Sequence, residues 1–379
     1  MLDVLIVGAG PAGAVAAAVL ARAGARVRVV DRAVFPRDKL CGDTVNPGTI
    51  ATLQRLGLAR GIATCGLAVE GMCLTGANGV SIEGRYPRGQ VGRALVRKEF
   101  DWMLLQDALA AGAQFESGVA VRRALVEEGR VVGVRAGGPG WEGDLRARVT
   151  IAADGRRSAV VSSLGLARHP RRPRRWAIGA YVETAGASTA SPTLGEMHVR
   201  SGRYIGVAQV PGGLTNVCLV KPWRPGDAAF GRPRDLLLGE LARDPLLRDR
   251  FAGARLAGGP HVLGPLAVDV GPCAIDGLLL AGDAAGFVDP MTGDGLCFAI
   301  RGAELAAASA LAALEHGWAG VQAGLAYQRR ATFGSKWRFN RAVRSLVSLP
   351  PAVAAAAAGA RVAPAILQRA IAYAGDCDR

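Results

Sequence analysis

The sequence predicts an α/β fold with a discontinuous, Rossmann-like domain, a β-rich second domain and a C-terminal helical tail. Three observations support this fold class. The chain begins with a short apolar run, a glycine-rich turn and a small-residue helix, which is the order of a βαβ unit. A central block alternates apolar and polar residues as antiparallel strands do. The segment after His316 is alanine-rich and helical in pattern, without another strand.

Changes in these patterns set the expected domain boundaries. The first domain is expected to comprise residues 1–75, 94–165 and 270–320. The second is expected at 76–93 and 166–269, and the tail at 321–379. Within the second domain, only residues 235–251 have a helical pattern.

The N-terminal glycine motif is Gly8-x-Gly10-x-x-Gly13, between an apolar strand and a second strand that ends in Asp31. Gly8 permits a tight turn, Gly10 lets a pyrophosphate approach the backbone, and Gly13 lets helix and strand pack closely. The helix N-terminus offers unpaired N–H groups to phosphates, and Asp31 can accept hydrogen bonds from ribose hydroxyls. The motif therefore predicts a dinucleotide site, which we expect also to include Pro11, Ala12 and Arg32.

Composition limits the class of protein. The chain has 379 residues, half of them hydrophobic, which indicates a globular protein with a large core. Its net charge is +15, but the basic residues are nearly all arginine, and the body of the chain has no aromatic-interleaved basic stripe or helix-turn-helix pattern, so nucleic-acid binding is not expected. The seven cysteines and four histidines show no metal-ligand spacing, so no metal is expected. No secretory signal pattern precedes the first strand, and we expect a cytoplasmic protein.

The tail allows two interpretations. It is basic, has no acidic residue between Arg329 and Tyr373, and interleaves apolar residues with arginines. A basic amphipathic helix can lie on an anionic membrane, which would place the protein at the inner face of the membrane, near a lipid substrate. Alternatively, the tail packs its apolar face on the first domain and leaves its arginines in water.

Further motifs lie at the ends of predicted strands and helices. They are Arg97 on a helix predicted over 94–111, Asp154-Gly155, Gly282-Asp283, and Pro290 followed by Gly293-x-Gly295. The loop at 289–295 opens a long helix that is predicted to begin at Leu296. Its free N–H groups and the helix dipole would stabilise negative charge placed beside them.

Together with the glycine motif, these motifs resemble the FAD-binding fold shared by aromatic hydroxylases, flavin halogenases and geranylgeranyl reductases. The resemblance covers roughly residues 1–320. It implies non-covalent FAD, with Asp31 at the adenosine ribose, Arg97 along the ribityl-phosphate region and Asp283 at the ribityl chain. The other residues implied to bind FAD are Lys39, Cys41, Asp154, Gly155, Gly282, Gly293, Gly295 and Leu296.

Two stretches of the sequence favour one of these three enzyme groups, the geranylgeranyl reductases. Residues 35–43, Phe-Pro-Arg-Asp-Lys-Leu-Cys-Gly-Asp, are similar to the loop typical of geranylgeranyl reductases. Gly286 stands where hydroxylases usually have His, and it points the same way. The resembled reductases saturate isolated carbon–carbon double bonds of prenyl chains with reduced FAD. The Trp-x-Trp-x-Ile-Pro signature of halogenases is not found in the sequence, so halogenation is not expected.

One strand departs from the resembled family. The reductases often have Tyr-x-Trp-x-Phe-Pro lining the prenyl tunnel, whereas the matching stretch here has Ala208 and Val210 at the Trp and Phe positions, with Tyr204 displaced. Pro211 and Asn216 fit the family pattern. These five residues are the expected substrate contacts, and the departure leaves room for a wider or aromatic substrate.

The leading hypothesis is reduction of a carbon–carbon double bond in a hydrophobic, isoprenoid-like molecule. No second GxGxxG stands between a predicted strand and a predicted helix as a site for NAD(P)H, so NAD(P)H would bind transiently or a separate reductase would deliver electrons. One alternative is an O2-dependent monooxygenase that hydroxylates an aromatic or polyketide-type substrate. Another is a non-catalytic, FAD-bearing accessory protein.

Three residues are the catalytic candidates: Cys41, Gly42 and Asp294. The Cys41 thiol could donate a proton or pair with Cys297, or Cys41 could be a small apolar residue packed in a tight loop.

Overall fold

In the computed structural model, residues 2–39, 43–76, 80–170, 174–183, 194–223 and 226–377 are described. The strands are β1 (Leu2–Val7), β2 (Val27–Asp31), β3 (Thr44–Val45), β4 (Leu67–Val69), β5 (Gly71–Thr75), β6 (Ser81–Arg85), β7 (Gly92–Ala94), β8 (Gln114–Ser117), β9 (Ala120–Glu127), β10 (Arg130–Gly138), β11 (Trp141–Ala152), β12 (Ala167–Arg168), β13 (Arg175–Glu183), β14 (Leu194–Arg200), β15 (Arg203–Val210), β16 (Leu214–Pro222), β17 (Arg255–Leu256), β18 (His261–Leu263), β19 (Asp269–Val270), β20 (Ala274–Ile275) and β21 (Leu278–Leu280). The helices are α1 (Pro11–Arg22), α2 (Pro47–Arg55), α3 (Ile62–Cys65), α4 (Arg97–Ala110), α5 (Ala159–Ser163), α6 (Pro233–Arg243), α7 (Gly295–His316), α8 (Val321–Ser348), α9 (Pro350–Val362) and α10 (Pro364–Ala374). Short 3₁₀ turns lie at Pro87–Gly89, Ala228–Gly231, Gly282–Ala285 and Pro290–Thr292.

The first domain is built on a sheet whose central strands run parallel in the order β21-β11-β1-β2-β8. β1 is the middle strand, and Val4, Leu5 and Ile6 are fully buried, which explains its continuous apolar run. β20 adds an antiparallel edge, and β9, β10 and the first half of β11 form an antiparallel extension. This is the discontinuous α/β domain that the sequence predicts.

Helices α1 and α7 pack against each other over this sheet. Both contribute alanines that are fully buried, such as Ala17 in α1 and Ala306 in α7. Small side chains let the two helix backbones approach closely. A Cβ atom on Gly282 would lie 2.9 Å from Ala12 Cβ and 3.9 Å from Ala299 Cα, so the beginnings of both helices lie close to the same turn.

The second domain is a separate sheet with the strand order β17-β13-β16-β15-β14-β5-β6. Its neighbours are antiparallel except that β14 runs parallel to β5. One face packs against α6 through buried residues including Leu237 and Leu241. The opposite face packs against the tail and lines a cavity that is described below.

Two sequence-based boundaries need correction. The first domain was expected to include residues 71–75, but β5 pairs with β14 and β6 in the second sheet. The helix expected at 235–251 spans Pro233–Arg243 instead. It stops before Pro245, since proline has no backbone N–H to continue the helical hydrogen bonds.

The tail packs on both domains, as in the second of the two interpretations from the sequence. α8 lies against α7, and α10 lies against β6. The Trp337 ring of α8 occupies the space over Gly286, where a Cβ atom would lie 2.8 Å from the ring. Among the described residues, α7 alone is long and apolar enough to cross a membrane by length and composition, and most of it is buried inside the protein.

Candidate functional site

The glycine motif forms a tight turn between β1 and α1. Gly8 has a φ of +99°, and a Cβ atom there would lie 2.5 Å from the Ala153 carbonyl oxygen. A Cβ atom on Gly13 would lie 1.8 Å from the Gly8 carbonyl oxygen. Only glycine fits these two positions. Gly10 is the N-cap of α1 and Pro11 its first residue. No side chain of the described residues caps the helix, so the N–H groups of Ala12 and Gly13 remain available.

Two carboxylates lie beside this turn. Asp31 accepts hydrogen bonds from the N–H groups of Ala9 and Ala33, both at 2.8 Å, and so fixes the turn itself. Asp154 accepts a hydrogen bond from the Ala159 N–H at 2.9 Å, and its Oδ1 is buried without a hydrogen-bond partner in the described part of the chain. Burial raises the pKa of Asp154. Gly155, with a φ of +81°, has open space around its Cα.

A group of basic side chains lies on the same side of the fold. Arg97 is buried and forms a bidentate ion pair with Asp101, with its Nε 2.8 Å from Oδ1. Arg37 shares Asp101 at 3.0 Å, and its Nη2 lies 3.4 Å from the position of a Cβ atom on Gly10. Burial, together with Arg97 and Arg37, lowers the pKa of Lys39. Arg32, in contrast, is exposed to solvent.

Arg37 was not singled out in the sequence, although it lies inside the loop at residues 35–43. Its Nη1 is buried and has no hydrogen-bond partner among the described residues. A guanidinium group so placed beside Gly10 offers N–H donors to a phosphate at the start of α1.

Asp283 lies in the 3₁₀ turn that follows β21. Burial raises the pKa of its carboxyl, and the charges of Lys39, Arg156 and Arg97 act in the opposite direction. A Cβ atom on Gly282 would lie 2.9 Å from the Ala12 Cβ, so this turn packs directly on the start of α1. The structure therefore brings Asp283 and the glycine motif together.

The loop before α7 approaches the same region. The Asp289 side chain caps the turn Pro290–Thr292 by accepting a hydrogen bond from Met291 N–H at 3.1 Å. Gly293 follows in the left-handed conformation, with a φ of +70°. The helix begins at Gly295, one residue earlier than predicted, while the Leu296 side chain points into the core. The backbone N–H groups of this first turn are thus the groups available to a ligand.

FAD fits these residues. The uncapped start of α1 and the unpartnered Nη1 of Arg37 match a pyrophosphate, and the remaining lone pairs of Asp31 match ribose hydroxyls. The turn that contains Asp283 lies between the start of α1 and Ala299 in the first half of α7. Bound FAD would supply hydride-transfer chemistry, which protein side chains do not provide. The binding role of each individual residue stays a prediction.

An apolar cavity of about 380 Å³ lies next to the loop before α7. Its floor is the face of the second sheet that bears Met72, Leu74 and Met197. Its opposite wall comes from the tail, including Phe339 of α8 and Ile371 of α10. The turn Pro290–Thr292 and Gly293 line it as well, so the cavity reaches the expected cofactor region.

Three of the expected substrate residues line this cavity: Tyr204, Ala208 and Asn216. The Tyr204 hydroxyl donates a hydrogen bond to Asp289 Oδ1 at 2.5 Å and so ties the sheet to the loop. The other two residues, Val210 and Pro211, do not line the cavity. Val210 is buried between the sheet and α10, and Pro211 lies in the turn after β15. The structure thus places three of the five expected residues in the cavity wall, and their contact with a substrate stays a prediction.

The catalytic candidates have different positions. Cys41 and Gly42 lie outside the described residues. Asp294 is buried, and its Oδ1 is 2.6 Å from the Nζ of Lys336, which is equally buried. This ion pair favours a structural role for Asp294 over proton donation. Burial raises the pKa of Cys297 to about 11, so its thiol stays protonated.

Asp43 is a cavity residue that the sequence reasoning missed. It is 4% exposed, and its Oδ2 accepts a hydrogen bond from Asn216 Nδ2. Burial raises its pKa to about 6. Asp43 closes the recognised loop at residues 35–43, so the motif contained it, but only the fold shows the apolar surroundings that change its pKa.

Comparison with known proteins agrees with this geometry. The family profile described as "FAD binding domain" matches residues 1–225. Menaquinone reductase of Mycobacterium tuberculosis is 32% identical over 317 residues, which cover 80% of this chain and 75% of that protein. Digeranylgeranylglycerophospholipid reductase 1 of Methanopyrus kandleri is 33% identical over 320 residues, or 83% of this chain and 81% of that protein.

Solved structures show that the fold extends over the tail. A flavin-dependent brominase superposes with a TM-score of 0.85 at 18% identity, covering 99% of this chain and 94% of the brominase. At this identity the similarity shows the fold alone.

Proposed function

This chain belongs to the FAD-binding domain family and is an FAD-dependent oxidoreductase, and from that premise we propose that it reduces carbon–carbon double bonds in a hydrophobic, isoprenoid-like molecule. The observation that supports this most directly is the apolar cavity that reaches the loop before α7. The relatives named as a menaquinone reductase and a digeranylgeranylglycerophospholipid reductase point in the same direction.

The cavity walls suit a prenyl chain. Such a chain offers no hydrogen bonds, so its binding depends on burial of apolar area, at about 25 cal/mol per Å². The flexible side chains of Met72, Met197 and Met291 line the cavity and can adjust to an irregular apolar shape. Two polar lining groups, Asp43 and Asn216, are hydrogen-bonded to each other.

The protein's own groups would bind, orient and shield the reactants. The start of α1 and Arg37 would hold the cofactor phosphates, and the first turn of α7 would place N–H donors beside the reacting ring. Tyr204 and Asp289 would keep that loop fixed against the substrate sheet. The tail would exclude water from the cavity. NAD(P)H would supply electrons at a transient site, or a separate reductase would do so.

The experiment is an anaerobic incubation of FAD-loaded protein with NADPH or dithionite and a quinone or lipid that bears unsaturated prenyl chains. A product heavier by two hydrogens, identified by mass spectrometry, supports the proposal. If NADPH fails where dithionite succeeds, the electron donor is a separate reductase. If neither yields a saturated product from any prenyl substrate, the proposal is wrong.

A second candidate is hydroxylation of an aromatic or polyketide-type substrate. The small side chains at Gly206 and Ala208 favour it, because they widen the cavity floor where the resembled reductases have aromatic residues. In this case the product gains one oxygen and forms only in air. FAD that binds but gives no product under either atmosphere would point to the accessory role.

We also propose that the tail makes peripheral contact with the inner face of the membrane. Val362 and Ile366 are 86% and 70% exposed, and Arg338, Arg341 and Arg369 are exposed on the same tail. A tail that exposes both apolar residues and arginines suits an anionic lipid surface. Flotation with anionic vesicles should retain the wild type and lose the variant Val362→Glu/Ile366→Glu. Equal flotation of both proteins would contradict the proposal, and Val126→Glu, on an exposed strand of the first domain, is the matched control.

A further inference from the structure

Asp43 is held firmly in the wall of the apolar cavity. It directly precedes β3, which pairs with β7 through Thr44 and Ala94. Its carbonyl oxygen accepts a hydrogen bond from the Leu95 N–H at 2.9 Å. The backbone therefore fixes a carboxyl group in a cavity whose lining is otherwise mostly apolar.

The two carboxyl oxygens of Asp43 have different environments. Oδ2 accepts a hydrogen bond from the Asn216 amide, and the Tyr181 hydroxyl also interacts with the carboxyl group. Oδ1 is buried and has no hydrogen-bond partner within the described ranges. Because Asn216 Nδ2 is a donor, Oδ2 is the acceptor, and a proton on the carboxyl group is expected on Oδ1.

Asp43 can hold a proton near neutral pH because burial outweighs the neighbouring groups that lower its pKa. Burial is the main cause of its raised pKa of about 6. Asn216, Arg97 and Tyr181 act to lower the pKa, and Asp101 acts to raise it. Arg97 is already paired with Asp101, which limits its effect on Asp43.

Other acidic groups near the cavity are already engaged. Asp294 is paired with Lys336, the Tyr204 hydroxyl donates to Asp289, and Cys297 donates to Asp376 Oδ2 at 3.6 Å. None of these groups offers the combination found at Asp43, a cavity position with an unpartnered oxygen.

We propose that Asp43 is the acid that protonates the substrate double bond. This inference rests on the proposed function. The Oδ1–H bond breaks and a C–H bond forms at one carbon, while a hydride equivalent from the reduced flavin adds to the other carbon. The two electrons come from NAD(P)H or a reductase, and the Asp43 carboxylate then takes a proton from water. The double bond thereby gains two hydrogens, and the charges balance.

The first test measures the proton itself in the FAD-loaded protein. Infrared difference spectra should show the C=O stretch of a protonated carboxylic acid that titrates with a midpoint near pH 6. Asp43→Asn should lack this band, and Asp38→Asn, an exposed residue of the same loop, should keep it. Absence of a titrating band in the wild type would refute the inference, whether or not turnover is seen.

The second test follows the reaction. Asp43→Asn should still bind FAD and accept electrons from dithionite, but should saturate the substrate about 10²–10⁴-fold more slowly, the usual contribution of a general acid. The wild-type rate should fall as pH rises through 6, that of Asp43→Asn should not, and Asp43→Glu should recover part of the rate. Saturation by Asp43→Asn at the wild-type rate would overturn the role of Asp43. A wild type that shows the infrared band yet saturates no substrate would refute the proposed function instead, together with the protonation step.

Discussion

Replacing Lys336 with methionine should weaken the attachment of the tail to the first domain. The Nζ of Lys336 lies 2.6 Å from Asp294 Oδ1 and 3.7 Å from Asp376 Oδ1, and both its own side chain and that of Asp294 are 1% exposed. Lys336 also donates to the Ala374 carbonyl at 3.3 Å. One ammonium group thus joins α8 to the start of α7 and to the end of α10.

The expected loss is large because the change leaves Asp294 buried without its partner. Removing one member of a buried ion pair costs about 3–5 kcal/mol. Asp376 keeps a contact with Arg301 at 3.0 Å, so most of the loss should fall on Asp294. Since about 1.4 kcal/mol corresponds to a tenfold change in an equilibrium, the tail should open about 10²- to 4 × 10³-fold more often.

Hydrogen exchange followed by mass spectrometry measures this opening directly. Protection should fall in α8 and α10 of Lys336→Met and stay unchanged in β1 and α1. The double variant Lys336→Met/Asp294→Asn should recover much of the protection, because it leaves no uncompensated charge. Lys98→Met, on the exposed face of α4, is the matched control.

The pH dependence of tail attachment follows from the ion pair between Lys336 and Asp294. Burial opposes the charge on Lys336, but Asp294 and its other neighbours more than offset burial and raise the pKa of Lys336. Its stabilising effect is therefore complete below the pKa of an unfolded lysine and declines only as pH rises through the raised value. Protection of α8 and α10 equal to wild type in Lys336→Met at neutral pH would refute this account of tail attachment.

Three more predictions concern the site. Gly13→Ala should destabilise the protein by about 1–3 kcal/mol or more and lower the flavin retained on purification, because its Cβ would lie 1.8 Å from the Gly8 carbonyl oxygen. Asp43→Asn should stabilise the protein at pH 7, since the raised pKa of about 6, against 3.8, makes ionisation of Asp43 cost about 3 kcal/mol there. The stability difference between Asp43→Asn and the wild type should vanish below about pH 4, where Asp43 is neutral in both the folded and the unfolded state. Urea titrations of both proteins at pH 7 and below pH 4 measure it. Ala208→Trp should fill part of the cavity and raise KM for a wide substrate by about tenfold or more, with FAD content unchanged; an unaltered KM would show that the substrate lies elsewhere.

Local patterns were sufficient to predict the first domain. The glycine motif, the apolar run of β1 and Asp31 occur within one short stretch, and each has a steric or hydrogen-bonding reason that does not depend on distant residues. The start of α7 was predicted within one residue for the same reason. The placement of β5 failed because the choice between two sheets depends on partners such as β14, which lies far along the chain.

The cavity could not be predicted, because its walls come from distant parts of the chain. Asn46 and the Ala374 carbonyl, for example, are joined by a hydrogen bond across 328 residues. The sequence also contained Asp43 inside a recognised motif, but its raised pKa results from burial, which outweighs the opposing effect of the hydrogen bond from Asn216, 173 residues away. Burial of this kind is a property of the assembled fold and not of any local pattern.

The role of Gly286 depends on its contact with the tail. In the sequence it indicates a reductase, because hydroxylases usually have His at that position. In the structure, a Cβ atom at residue 286 would come within 2.8 Å of the Trp337 ring, and Gly286 itself has a φ of +113°. A larger residue would therefore displace α8, whose Phe339 and Val343 line the cavity. Gly286 therefore allows α8 to pack where it does, and α8 in turn forms part of the apolar cavity wall. A larger residue at position 286 would disturb the wall that shields an apolar substrate from water.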